Sequence, residues 1–190
     1  MGTPDPLTCA LFIMTAFILT GVFHTLWLRS HLSSSLAIPL DGGRTFLGKR
    51  IFGDNKTLRG FVVLVPAAGA TFFGLAHLPW FEQGLWFLSP GEYGALGLLA
   101  GAGFMAGELP NSFLKRQLGI PPGEAPTNRV AKSLFFVLDR LDSIIGMLLV
   151  VSLTVPTPWQ TWAYVIVIGS LIHWSFSALL FLVGVKARSA

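Results

Sequence analysis

The chain has 190 residues, 53% of them apolar and only 12% charged, where a soluble domain carries about 25% charge. That composition excludes an ordinary water-soluble enzyme, and a single cysteine, Cys9, excludes a disulfide framework. The formal net charge of +4 would suggest a nucleic-acid ligand on its own. Its Lys and Arg lie between apolar runs instead, which reads as membrane topology, and no nucleic-acid partner is expected.

The first apolar run covers about residues 7–28. It is too long for the apolar core of a signal peptide and has no Lys or Arg before it, so it reads as a retained anchor with the N-terminus outside. Four more runs follow at about 61–78, 93–112, 134–155 and 162–185, each near the roughly 20 residues that a spanning helix needs. The expected fold is an all-α, polytopic membrane helical bundle of about five transmembrane helices. Residues 1–190 then form one membrane-embedded domain, with cytoplasmic loops at 29–60 and 113–133.

The loop charges orient it. Arg29, Arg44, Lys49, Arg50, Lys56 and Arg59 follow the first run, and Lys115, Arg116, Arg129 and Lys132 follow the third. Arg140, Lys186 and Arg188 complete the 13 basic residues on the same face. The opposite face carries Asp5, Glu82 and Glu92. The positive-inside rule therefore predicts N-outside and C-inside, a multi-pass protein of the cell (inner) membrane. Trp80, Trp86, Trp159 and Trp162 fall at the outer boundary, as an aromatic belt would.

The loop at 29–60 is longer than an ordinary connection, and such loops are functional or disordered. It contains Asp41-Gly-Gly-Arg44 and then a stretch from Gly48 to Gly60 that includes Gly53-Asp54-Asn55-Lys56-Thr57 and Arg59. Glycines let backbone amides approach an anion, and Lys and Arg supply charge. Attraction of a basic juxtamembrane cluster to anionic headgroups accounts for the charge alone. It does not account for polar residues alternating with glycine. The spacing is not that of a P-loop.

The third run ends in Glu108, Asn111, Ser112, Lys115 and Arg116, and intervals of three and four place these on one helical stripe. Pro110 interrupts the hydrogen-bond ladder there. The fourth run contains Asp139-Arg140-Leu141-Asp142-Ser143. Its two aspartates share a face, about 8 Å and about 12 Å inside the start of the apolar run. An Asp at bilayer depth costs about 2–3 kcal/mol on insertion scales, and something must offset that. Paired carboxylates are hard ligands suited to Mg²⁺. The alternatives are an intramembrane salt bridge with Lys115 or Arg140 for the aspartates, and a helix-joining polar network for Glu108. His173 reads as a hydrogen bond across helices. Taken together, the residues point to metal-assisted phosphoryl or nucleotidyl transfer on a membrane lipid.

Three pieces together resemble the CDP-archaeol synthase family, relatives of the CDP-diacylglycerol synthases (phosphatidate cytidylyltransferases). They are Phe52-Gly-Asp-Asn-Lys-Thr-Leu-Arg-Gly60, Ser112-Phe-Leu-Lys115-Arg116 with the following Pro121-Pro-Gly123, and Asp139-Arg-Leu-Asp142-Ser143. The Lys-Asp pair and His-Gly-Gly turn of the wider cytidylyltransferase signature are missing, which favours the archaeol-type branch. The resemblance implies that CTP and a membrane lipid phosphate react to give a CDP-lipid and pyrophosphate, with Mg²⁺ as cofactor and the active site facing the cytoplasm. It implies Asp139 and Asp142 as metal ligands and Lys115 and Arg116 as phosphate-binding catalytic residues. Asp54, Asn55, Lys56, Thr57 and Arg59 would form the nucleotide loop, with Glu108 and Ser112 as further polar contacts. A homodimer is compatible with this reading. The competing expectations are a CDP-alcohol phosphotransferase, faintly suggested by Asp41-Gly-Gly-Arg44, and a small membrane transporter or lipid-binding protein.

Overall fold

The computed structural model describes residues 4–81, 83–182 and 184. Glu82, Lys186 and Arg188, used above in the charge argument, lie outside the described residues. Five long helices make the body of the protein: α1 (Pro6–Arg29), α3 (Leu58–Leu75), α4 (Pro90–Gln117), α5 (Arg129–Thr154) and α6 (Trp159–Leu182). A single turn, α2 (His31–Ser34), and a two-stranded hairpin, β1 (Thr45–Phe46) with β2 (Lys49–Arg50), lie between α1 and α3.

Local chemistry sets the helix starts. The Asp5 carboxylate accepts the Thr8 amide at 2.7 Å and Pro6 takes the first helical position of α1. Ser89 and Glu92 form a reciprocal capping box at the head of α4. Asn128 caps α5 by accepting from Val130 and Ala131 at 2.8 and 3.3 Å. These caps extend the third and fourth helices beyond their apolar stretches, so that α4 reaches 28 residues and α5 reaches 26. Pro66 and Pro110 are both carried inside helices.

Among the described residues, three helices, α1, α3 and α6, are long and apolar enough to cross a membrane by length and composition. α4 and α5 are longer still, but each holds acids and cations within its length.

α1, α3, α4 and α5 pack successively, and α6 closes the bundle against α1 and α5. The core lies at the end opposite the long loops. Phe12 is its hub, with ring centroids 5.1 Å from Phe72, 5.2 Å from Phe81 and 5.3 Å from Tyr93. The Trp cluster divides in two. Trp80 and Trp159 are exposed, as a belt requires. Trp86 is instead buried with its indole N–H donating to the Pro156 carbonyl at 2.7 Å, and Trp162 donates to Ser152 at 2.9 Å. The amphipathic ring serves equally well to tie loops to helices, and position along the chain does not distinguish the two uses.

α4 and α5 meet backbone to backbone. A Cβ added to Gly146 would lie 2.7 Å from the Gly107 Cα, and one added to Gly103 would lie 2.7 Å from the Gly146 carbonyl oxygen. Small residues at such crossings let helices approach closely without a hydrophobic driving force. The close crossing brings the polar residues one turn further along each helix into mutual reach.

Candidate active site

Beyond the Gly107–Gly146 crossing, α4 and α5 hold their acids against each other. The Asn111 amide nitrogen donates to Asp139 Oδ1 at 2.7 Å and to Asp142 Oδ2 at 2.8 Å. Asp142 Oδ1 accepts the Ser143 backbone N–H at 2.7 Å, and the Ser143 hydroxyl donates to Glu108 Oε1 at 2.9 Å. Glu108 is ion-paired with Lys56, which reaches in from the loop ahead of α3. Lys115 is ion-paired with Asp139, at 2.6 Å from Oδ2, and its ammonium lies 5.3 Å from the Phe135 ring centroid. The salt-bridge expectation for Asp139 and the polar-network expectation for Glu108 are therefore both present in the geometry. They form one continuous array rather than separate structural links.

The array lines a cavity of about 650 Å³ that the loops and the long helices share. Asn55, Lys56, Thr57 and Arg59 enter its lining from the loop, Glu108, Ser112, Lys115 and Arg116 from α4, and Asp139 and Asp142 from α5. Ten of the eleven site residues that the resemblance implies thus meet in one space. The exception is Asp54: its side chain is 73% exposed and pairs with Arg50 at 2.8 Å, outside the cavity lining. An acid beside a flexible basic residue on the outer side of a turn is drawn to that partner, and spacing alone cannot show which way it faces.

Arg116 has a different character from the two lysines. It is 7% exposed, and its Nε and Nη1 are buried without a hydrogen-bond partner. Its guanidinium packs beside Gly53, where φ is +91° and an added Cβ would lie 2.8 Å from Pro122 Cγ. Gly53 is thus required both by its left-handed backbone and by the space that Pro122 takes. Lys56 and Lys115 are each engaged with an acid, whereas Arg116, which also lines the cavity, has no acid paired with it among the described residues. That is a high-energy arrangement unless an anion completes it.

Asn111, Asp41 and His173 are visible in the sequence, but their roles emerge only from the packing. Asn111 lies on the Glu108 stripe, three positions on, and that interval is the one sequence signal for it. Asp41 organises the loop. Its carboxylate is drawn well below the ordinary Asp value by the hydrogen-bonded Arg50 guanidinium, against a raising effect of burial, with help from the Gly53, Phe52 and Gly43 amides. His173 on α6 lines the cavity, its Nδ1 3.4 Å from the Arg140 carbonyl and its ring 5.5 Å from Phe104. That is the cross-helix hydrogen bond its position suggests. The apolar part of the wall comes from all five long helices, including Ile13 and Phe17 of α1, Leu64 of α3, Phe104 of α4, Met147 of α5 and Ile172 of α6.

Among the described residues, no three His, Cys, Asp or Glu side chains converge as a ready-made metal cage. Mg²⁺ does not require one. It is bound through one or two carboxylates and completes its octahedron with water and phosphate oxygens. Two aspartates bridged by a single amide, with Asn111 Oδ1 buried and lacking a hydrogen-bond partner, offer a hard-oxygen donor set of that type. The residues fit the ion.

Residues 14–189 match the family model described as CarS-like, CDP-archaeol synthase. A CDP-archaeol synthase of Methanoculleus marisnigri is 34% identical over 166 residues, covering 78% of this chain and 87% of that protein. Its counterpart in Methanococcus aeolicus is 30% identical over 163 residues, covering 78% and 80%. The one from Methanopyrus kandleri is 32% identical over 151 residues, covering 78% and 77%. The fold is shared with a solved intramembrane enzyme for archaeal membrane lipids biosynthesis, with a TM-score of 0.61 at 23% identity, covering 87% of this chain and 90% of the other. With its helical bundle, its acid-and-cation cavity and these relatives, the chain belongs to the CDP-archaeol synthase family.

Proposed function

We propose that this protein transfers CMP from CTP to a membrane lipid phosphate, giving a CDP-lipid of the CDP-archaeol type and releasing pyrophosphate. The observation that carries this reading is one cavity in which polar and apolar walls meet. Acids of α4 and α5 and the buried cation Arg116 lie at its loop end, and aliphatic and aromatic side chains of the five long helices continue from them. A nucleotide needs the first wall and a lipid the second.

In the reaction, an oxygen of the lipid phosphate attacks the α-phosphorus of CTP. The bond from that phosphorus to the oxygen bridging to the β-phosphate breaks, and pyrophosphate departs with the bonding pair. The nucleophile is already anionic, so no strong base is needed and catalysis rests on positioning and charge stabilisation. Asp139 and Asp142 would hold Mg²⁺, which supplies charge neutralisation at the phosphates. Arg116 offers a fork of donors to a phosphate, as guanidinium geometry favours. Lys115 and Lys56 keep Asp139 and Glu108 in place and can turn to phosphate oxygens. Asn55, Thr57 and Arg59 line the nucleotide side, and Ser112 lines the wall between them.

All five long helices span the bilayer in this reading, with the N-terminus outside and the cavity mouth facing the cytoplasm, where the nucleotide is. The CDP-alcohol phosphotransferase alternative loses its starting point, because the Asp41 carboxylate is fully engaged within the loop and lies outside the cavity lining. A transporter would need a polar path through the bundle. The far half is filled by the Phe12, Phe72 and Tyr93 ring cluster.

The test is purified full-length protein in lipid vesicles with radiolabelled CTP, Mg²⁺ and a panel of lipid phosphates bearing ether-linked isoprenoid or ester-linked acyl chains. Label should move into the lipid fraction with at least one acceptor and depend on Mg²⁺. No labelled lipid with any acceptor would overturn the proposal.

A further inference from the structure

The segment between α2 and α3 carries four of the cavity residues, yet it has only a two-residue-per-strand hairpin and no apolar core of its own. Something else must give it a single shape. The Asp41 side chain is wholly buried, and five donors converge on its carboxylate. Oδ2 accepts the Phe52 and Gly53 amides, each at 3.0 Å, and Arg50 Nε at 3.2 Å. Oδ1 accepts the Gly43 amide at 3.0 Å and Arg50 Nη2 at 2.6 Å.

The residues that Asp41 holds lead straight to the site. Leu40, its neighbour, donates its N–H to the Lys56 carbonyl at 2.8 Å, and Pro39 pairs with Thr57 in an antiparallel bridge. Lys56 reaches Glu108 from that anchored backbone. Gly53, held through its amide, packs on Pro122 and on the Arg116 guanidinium.

We propose that Asp41 is a positioning residue for the nucleotide: through Leu40 and the Phe52 and Gly53 amides it sets Asn55, Lys56 and Thr57 in the cavity wall and seats Gly53 against Arg116. This rests on the CTP-dependent reading above. It assigns Asp41 a selective effect on the nucleotide and not on the lipid, whose apolar wall is built mainly by the long helices and not by the loop that Asp41 holds. An amide in place of the carboxylate cannot substitute. It offers one oxygen, and its NH₂ would face donors.

The experiment compares wild type, Asp41→Asn and Arg50→Gln as full-length protein in vesicles. It reads KM for CTP, KM for the lipid acceptor, the thermal melt, and amide hydrogen exchange over residues 42–57. In Asp41→Asn the KM for CTP should rise about tenfold or more, as loss of charge-assisted hydrogen bonds implies, while the acceptor KM stays within about twofold. Arg50→Gln should move the same way by less. Exchange should quicken over 42–57 with the melt of the bundle little changed.

Equal rises in both KM values, or an unchanged CTP KM in a folded variant, would overturn the inference. If Asp41→Asn does not accumulate as folded protein, Arg50→Gln decides alone, and a wild-type CTP KM there overturns it. Absence of CTP turnover in the wild type would sink the functional reading instead, and the exchange measurement would still report whether Asp41 holds the loop.

Discussion

Asp142 and Arg116 illustrate how the same cavity can set function against stability. Asp142 shares the Asn111 amide with Asp139 and accepts the Ser143 amide. Asp142→Asn keeps the volume and removes the charge. Turnover should fall by about 100-fold or more, as for loss of an electrostatic group acting on the transition state, with the thermal melt nearly unchanged. Arg116→Met should behave differently. It removes a buried charge that has no hydrogen-bond partner at two of its nitrogens, so the melt should hold or rise while turnover collapses. A lower melt with retained turnover would contradict this assignment.

Asp41 supplies the pH dependence. Its folded-state value lies below that of the unfolded chain, because the Arg50 hydrogen bonds favour the carboxylate. Its contribution is therefore complete above the unfolded value of about 3.9 and is lost as pH falls through the depressed native value. Amide exchange over 42–57, corrected for its intrinsic pH dependence, should show the same protection at pH 5 as at pH 7.

At the scale of elements, two features can be tested by adding or removing strain. The α4–α5 crossing leaves no room for a methyl group at Gly146, whose Cβ would meet the Gly107 Cα at 2.7 Å. Gly146→Ala should push the helices apart and lower stability by about 1–3 kcal/mol, as overpacking does, read from thermal melts in detergent. Turnover should fall further than stability, since the same shift separates Asn111 from Asp139 and Asp142.

At the hairpin tip, Leu47 has φ +50° and is 83% exposed, beside Gly48 at φ +78°. This two-residue turn favours Asn-Gly, and Leu47→Asn should relieve backbone strain and slow proteolysis of the loop. The helices were legible from apolar run lengths to within a few residues. The hairpin was not, because four residues of strand are too few for a period-two pattern to emerge from the basic residues around them.

For the whole molecule, the one-sided distribution of Lys and Arg predicts which face meets which compartment. In a Cys9→Ala background, Arg129→Cys should react with a membrane-impermeant thiol reagent only from the cytoplasmic side, and Trp80→Cys only from outside. The reverse pattern would invert the orientation. Trp80 suits the purpose because it is 90% exposed.

Some of this architecture is written in the linear chain. Run lengths, loop charges and the periodic placement of Glu108, Lys115, Asp139 and Asp142 depend only on local spacing and on the cost of placing charge in hydrocarbon. They suffice for a helical membrane bundle with acids and cations gathered toward one end. Pairing and direction were decided by the tertiary structure. Close approach at Gly107 and Gly146 lets one Asn111 amide bridge two aspartates, and Arg50 draws Asp54 out of the site while Asp41 closes the loop behind it. Each of these depends on which groups meet across the fold once the backbones have packed, and separation along a sequence carries no such information.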